Sequence, residues 1–221
     1  MKTLQIQIGF FYDVSSSVDF DGLAYFIKRE FKSAIGIQLD NVQLFNMLPK
    51  DAPAEIPRLQ LHSPNNKIRA QASFQRFDLF IERFDTEQEV NSEFFDKLFD
   101  KISFVHEMLN IKIARIGLVA FLAEPDENPS KSISEKYLNT SELGSSDQLS
   151  DVTLMVNRQF ELHGKGFNCH LTIMPGVDTI KQQSIFVKQV DVSTLQENVF
   201  YKEYSNNQIK DAFMLKMNEY K

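Results

Sequence analysis

The chain has 221 residues, with 24 Lys+Arg against 30 Asp+Glu, 20 Phe, no Trp and a single Cys. That length allows one large domain or two small halves around a sizeable core, and the net charge of −6 argues against a protein whose main business is coating nucleic acid. One cysteine allows no internal disulfide, the N-terminus lacks the apolar run of a signal peptide, and no stretch reaches the roughly 18 apolar residues of a membrane span; a soluble, bacterial-type cytoplasmic protein is expected.

Leu4, Ile6, Ile8, Phe10 and Tyr12 alternate with Gln5, Gln7 and Gly9, which predicts a strand with one buried face. Asp19 or Asp21 can cap a following helix, where Phe20, Leu23, Phe26, Ile27, Phe31 and Ile35 recur at three- and four-residue intervals until Gly36 stops it. Residues 42 to 48 suit a strand, and Pro49, Pro53 and Pro57 then impose an extended connection. Leu59 and Leu61 lead into the turn Ser63-Pro64-Asn65-Asn66, and the chain returns through Ile68, Ala70, Ala72 and Phe74, with Phe77, Leu79 and Ile81 continuing or following.

A long helix is predicted over Thr86 to Asn110, with Thr86 and Glu89 as a capping box and a broad stripe running from Val90 to Leu109. Glu87, Glu89 and Glu93 sit at its positive end, so they read as capping electrostatics and not as a metal site. Ile111 to Leu122 is apolar on both faces apart from Lys112 and Arg115, the pattern of a central, doubly covered strand. Residues 124 to 150, with two prolines and seven serines, read as a long surface connection holding one short helix near Ser132 to Leu138. Strands resume over Val152 to Leu162 and Phe167 to Ile173 around a turn at His163-Gly164-Lys165-Gly166, and again over Ser184 to Val192. A last helix starts near Ser205, with Gln208 as its capping-box partner.

The order strand, helix, several strands, helix thus occurs over 1–110 and again over 111–221. It predicts an α+β fold in which an antiparallel sheet is covered by helices, with a β-α-β-β-β-α pseudo-repeat packed as one compact unit. The other sheet face is then open to a partner, a ligand or the opposite half.

The run Arg115-Ile116-Gly117-Leu118 after a long helix resembles a sporadically distributed bacterial family with an Arg-Ile-Gly-Leu strand motif. Val190-Asp191-Val192 fits the family's late strand, which carries an Asp between apolar residues. Val119-Ala120-Phe121-Leu122 stands where members show an Arg-Tyr and an Asn-Arg pair. The resemblance brings no activity with it. Its patchy occurrence is similar to that of genes in mobile-element or antiviral defence regions, which implies a partner-dependent role.

Three groups compete as sites. Arg115 lies in an apolar stripe with Ile113, Val119 and Phe121, and Arg158 among Leu154, Val156 and Phe160; a buried guanidinium needs a carboxylate or an anionic ligand, and Asp191 is the natural partner. That group is either an anion pocket or an internal salt bridge that fixes strand order. No acidic residue occurs from Leu59 to Gln75, while Arg58, Lys67, Arg69 and Arg76 lie in or beside the hairpin near Phe74 and Phe77. That group is either a single-strand nucleic-acid surface or the charge guard of an edge strand. Cys169 and His170 point to opposite faces, so Cys169 reads as a buried apolar residue; His163 and His170 could meet across their hairpin but lack a third ligand for zinc. His106 reads as a core histidine, and no cofactor motif is present.

No acid, base and nucleophile converge in the sequence. A non-enzymatic binding or assembly subunit acting through a protein partner is therefore the first expectation. Single-stranded nucleic-acid binding by the 58–76 hairpin is the second, and an enzyme acting on an anionic small molecule near Arg115 and Arg158 is the third. Segment 124–150 and the Ser63–Asn66 turn are the expected contact elements.

Overall fold

The computed structural model describes residues 1–45, 48–49, 52–82, 92–138, 149–195 and 204–221. Among these residues nine strands form one antiparallel sheet: β1 (Lys2–Tyr12), β2 (Asn41–Leu44), β3 (Leu59–His62), β4 (Ile68–Ala72), β5 (Arg76–Glu82), β6 (Ile113–Pro125), β7 (Leu154–Leu162), β8 (Lys165–Asp178) and β9 (Gln183–Thr194). The helices are α1 (Phe20–Ile35), α2 (Ser92–Met108), α3 (Pro129–Tyr137) and α4 (Asn206–Tyr220). The strand order is β2-β3-β4-β5-β1-β6-β9-β8-β7. The first strands of the two halves, β1 and β6, therefore lie side by side at the centre, and each is followed outward by its own meander. The α+β fold with an antiparallel sheet against helices is the one the sequence predicts.

Strand alternation decides where the helices go. In β1, Ile6, Ile8, Phe10 and Tyr12 are buried. They share one continuous core with Leu23, Ile27 and Phe31 of α1, Phe95, Phe99 and Ile102 of α2, Ile133 of α3, and Ile209 and Phe213 of α4. A second, small cluster of Ala123, Ile185 and Val187, with Leu4, Phe121 and Met174 against it, contains no helical residue. The four helices of the described residues thus cover one face, and this small apolar cluster lies on the other.

Local signals set the ends of several elements. The Asp19 carboxylate accepts from the Gly22 N–H at 3.0 Å to open α1, and Gly36 closes it in the left-handed region at φ 75°. Ser205 and Gln208 form the expected capping box of α4. His163 and Gly164, at φ 53° and 70°, make the tight two-residue turn between β7 and β8 whose handedness matches the strand twist.

Polar clasps join the helices to each other. Glu30 of α1, largely buried, accepts from Arg29 at 2.8 Å and from Lys101 of α2 at 3.2 Å, and these cations hold its carboxyl below the usual range. Lys210 of α4 is buried to 7% exposure between Asp96 and Asp100 of α2, each at 3.4 Å.

Four expectations are corrected. The strand expected over 42–48 is Asn41–Leu44, because the Leu48 N–H turns back to the Phe45 carbonyl. The described part of the long helix is Ser92–Met108, ending as Asn110 adopts φ 53°, while its expected cap at Thr86 and Glu89 lies outside the described residues. The connection expected from 124 to 150 opens with β6 running on to Pro125, and its short helix, expected near Ser132 to Leu138, is α3, which begins earlier, at Pro129 with Asn128 as its cap, and buries Ile133 and Ser134; residues 139–148 lie outside the described residues. Finally, β6 is central, but among the described residues helices pack on one of its sides only.

Candidate functional site

The helix-free face is read from the register. Residues directly opposite in neighbouring strands share a face, so Phe11 shares one with Arg76 and Arg115, Gln7 with Phe80 and Val119, and Val119 with Asp191, which lies opposite His170. Amides recur across it: Gln5 and Gln7 in β1, Gln60 in β3, Gln71 in β4 and Gln189 in β9.

At its centre Gly9 of β1 lies opposite Gly117 of β6. The Phe11 ring lies across this pair, within 3.4 Å of where a Cβ on Gly9 would stand and 3.7 Å of where one on Gly117 would stand. Two guanidinium groups flank the ring, Arg76 with its central carbon 5.5 Å from the ring centroid and Arg115 at 5.0 Å. Asp78, only 2% exposed, accepts from Arg76 Nε at 2.8 Å and from Gln7 Nε2 at 3.0 Å. Arg115 Nη2 donates to Ser193 Oγ at 3.1 Å. Burial raises the Asp191 carboxyl above its ordinary range, and Arg115 and His170 partly offset the rise. On β4 the Arg69 guanidinium stacks on Phe80 at 4.6 Å and reaches Glu82 at 3.7 Å.

These contacts reassign the expected site residues. Arg115 and Asp191 do share a region, yet Arg115 hydrogen-bonds Ser193, and Ile113 leaves the stripe expected for it. A register shift between Phe11 and Tyr12 places Ile113 opposite Tyr12, on the helix side. Arg158 lies opposite the buried Cys169 and pairs with Glu219 of α4 at 3.0 Å, also on the helix side. The two arginines are therefore on opposite faces of the sheet, so neither the anion pocket nor the internal salt bridge that would join both to Asp191 can hold the two together.

The basic hairpin also divides. Arg69 and Arg76 point to the helix-free face, but each already meets a carboxylate. Arg58 is 7% exposed, donates to the Ala52 carbonyl at 3.3 Å and stacks on Phe74 at 5.2 Å, so it braces the chain before β3 and does not line the accessible surface expected of it. Lys67 stands at the turn, where its N–H donates to Asn65 Oδ1.

His163 lies at the β7–β8 turn, 3.5 Å from Asp211 of α4, while His170 is on the helix-free face between Asn157 and Asp191, so the two do not face each other across that hairpin. Among the described residues no group of three His, Cys, Asp or Glu side chains is placed to hold a metal. His106, fully buried, accepts from the Tyr12 hydroxyl at 3.2 Å through Nε2 and donates from Nδ1 to the Ile102 carbonyl at 2.9 Å. Burial lowers its pKa to about 4, so it is a neutral core histidine.

The sequence reading missed the Phe11 stack and the buried Asp78. The signal available was the polar half of the β1 and β5 alternation, Gln5-Gln7-Gly9-Phe11 beside Arg76-Asp78-Phe80, which places two aromatic rings among residues otherwise suited to a solvated face.

No protein-family model and no curated protein matches the chain. Among solved structures it is similar to one described as Methanococcus jannaschii TBP, at 12% identity and a TM-score of 0.31, covering 97% of this chain and 98% of that one. A likeness of that size carries no functional argument. Among the described residues no helix is long and apolar enough to cross a membrane.

Proposed function

We propose that the protein is a non-enzymatic binding or assembly subunit that engages a protein partner through the helix-free face of its sheet. The observation that carries this reading is the charge balance of that face. Arg69 and Arg76 meet Glu82 and Asp78, and Arg115 bonds Ser193 beside Asp191, which leaves amides, stacked aromatic rings and the apolar corner at Phe121, Met174 and Val187 as the recognition chemistry. Protein interfaces combine such an apolar patch with polar groups that can exchange hydrogen bonds across it, whereas phosphate backbones need uncompensated cations. A role in a mobile-element or defence system fits the Arg-Ile-Gly-Leu resemblance, because such a subunit acts through what it binds.

The test is copurification from native extract and with the products of adjacent genes, followed by size-exclusion chromatography with light scattering. A defined complex is expected, weakened at least about tenfold by Val119→Lys in the middle of the helix-free face and untouched by Leu215→Lys on the exposed side of α4. A chain that stays monomeric with every candidate, or a complex indifferent to Val119→Lys, overturns the reading. Retention of single-stranded RNA or DNA that weakens steeply with salt would replace the protein partner by nucleic acid.

A further inference from the structure

The sheet begins at β2, so the outer edge of Asn41–Leu44 has no strand beside it among the described residues, and Asn41, Val42 and Gln43 are exposed. Between this edge and α1 lies a cleft of about 480 Å³, lined among others by Tyr25, Lys28, Arg29, Lys32, Asp40 and Val42. Three cations face one carboxylate there, on a chain whose net charge is −6. Arg29 is engaged by Glu30 at 2.8 Å and stacks on Phe26 at 4.8 Å. Among the described residues, Lys28 and Lys32 make no ion pair. Tyr25 is 60% exposed, and Val42, which lies opposite the buried Leu61, faces the helix side.

We propose that this edge and cleft dock an acidic peptide segment in extended conformation, which adds a tenth strand beside β2 and directs alternate carboxylates toward Lys28 and Lys32. Strand periodicity supplies the geometry. Every second side chain of an added strand points to the helix side, where the outer surface of α1 presents Tyr25, Lys28 and Lys32, and the intervening ones join the helix-free face next to Asn41 and Gln43. Main-chain hydrogen bonds to the free edge hold the segment, and the two unpaired lysines select its sign of charge. An uncharged or basic strand leaves those lysines uncompensated. The site is distinct from the one proposed above, and either can fail while the other stands.

Fluorescence anisotropy on the full chain tests it with a short labelled peptide alternating Glu and Thr, a second alternating Lys and Thr, and an N-methylated copy of the first that cannot donate main-chain bonds. The Glu peptide is expected to bind at low salt and to weaken at least about tenfold as salt rises through the physiological range. The Lys peptide and the N-methylated peptide are expected to bind at least about tenfold more weakly. The double substitution Lys28→Glu/Lys32→Glu, on a solvated helix surface, is expected to abolish binding of the Glu peptide while leaving the circular dichroism spectrum unchanged. No binding of the Glu peptide, equal binding of the Lys peptide, or equal binding of the N-methylated copy overturns the proposal.

Discussion

His106 shows how one side chain can make the whole fold sensitive to acid. Its ring is enclosed by Phe10, whose centroid is 5.0 Å away, and by Phe77 at 5.4 Å, and both nitrogens of the neutral ring are satisfied with the proton on Nδ1. Burial lowers the folded pKa to about 4 from an ordinary 6.5. The same burial, with the Asp78 carboxylate nearby, pushes the Tyr12 phenol far above its usual range, so the hydroxyl stays a donor. Between the two histidine pKa values the unfolded chain binds the proton and the folded chain does not. Stability is therefore complete above about pH 6.5 and falls as pH drops toward 4, by on the order of 3 kcal/mol from this residue. Urea denaturation at stepped pH is expected to show that loss, and the double substitution Tyr12→Phe/His106→Phe to flatten it over the same window; an unchanged slope would remove His106 as its source. The sequence already placed His106 on the apolar stripe of a helix, which is why its core role was legible. Its partner was not, because Tyr12 is 94 residues away in a strand whose register the sequence does not reveal.

At the level of elements, capping chemistry and strand alternation carried most of the reading. Asp19, Gly36, Ser205 and Gln208 act through bonds that close within a few residues, so local sequence determines them. What stayed illegible was everything decided by pairing between strands. The shift at Tyr12 moves Ile113 to the opposite face from Arg115, and no pattern in β6 alone records it. The same holds for the α2–α4 clasp, where Lys210 looks like any solvated helix lysine until α2 brings Asp96 and Asp100 against it. The two carboxylates are about half exposed and remain hydrated without the lysine. Lys210→Met, which keeps the buried stem, is therefore expected to change stability by less than about 1 kcal/mol in a denaturant titration. Lys210→Glu, which buries a third carboxylate beside two others, is expected to cost about 3 kcal/mol or more. Equal effects of the two substitutions would show that only the packing of the stem matters.

For the whole molecule, the question is whether 1–110 and 111–221 unfold as two units. The halves meet in β1 and β6, and a single core includes Phe10, Phe95 and Phe99 from one half with Phe213, Val190 and Phe167 from the other. Phe95 stacks directly on Phe213, with centroids 5.5 Å apart. A core shared in this way predicts one cooperative transition, with the calorimetric enthalpy equal to the van't Hoff enthalpy. Two resolved transitions in differential scanning calorimetry would show that each half holds itself together. The layered architecture was legible at this scale because element order constrains it strongly. The composition of the helix-free face was not, because its residues come from all nine described strands and meet only once the sheet is assembled.

The seam between β1 and β6 also orders events in time. Tyr12 pairs with Ile113 and Lys2 with Ala123, so a chain emerging from the ribosome carries the central strand of its sheet long before that strand's second neighbour exists. Until β6 is made, β1 can hold only β5, and one whole row of its N–H and C=O groups waits unpaired. The protein thus commits to its final sheet only once β6 exists, at the junction that turns two meanders into a continuous surface.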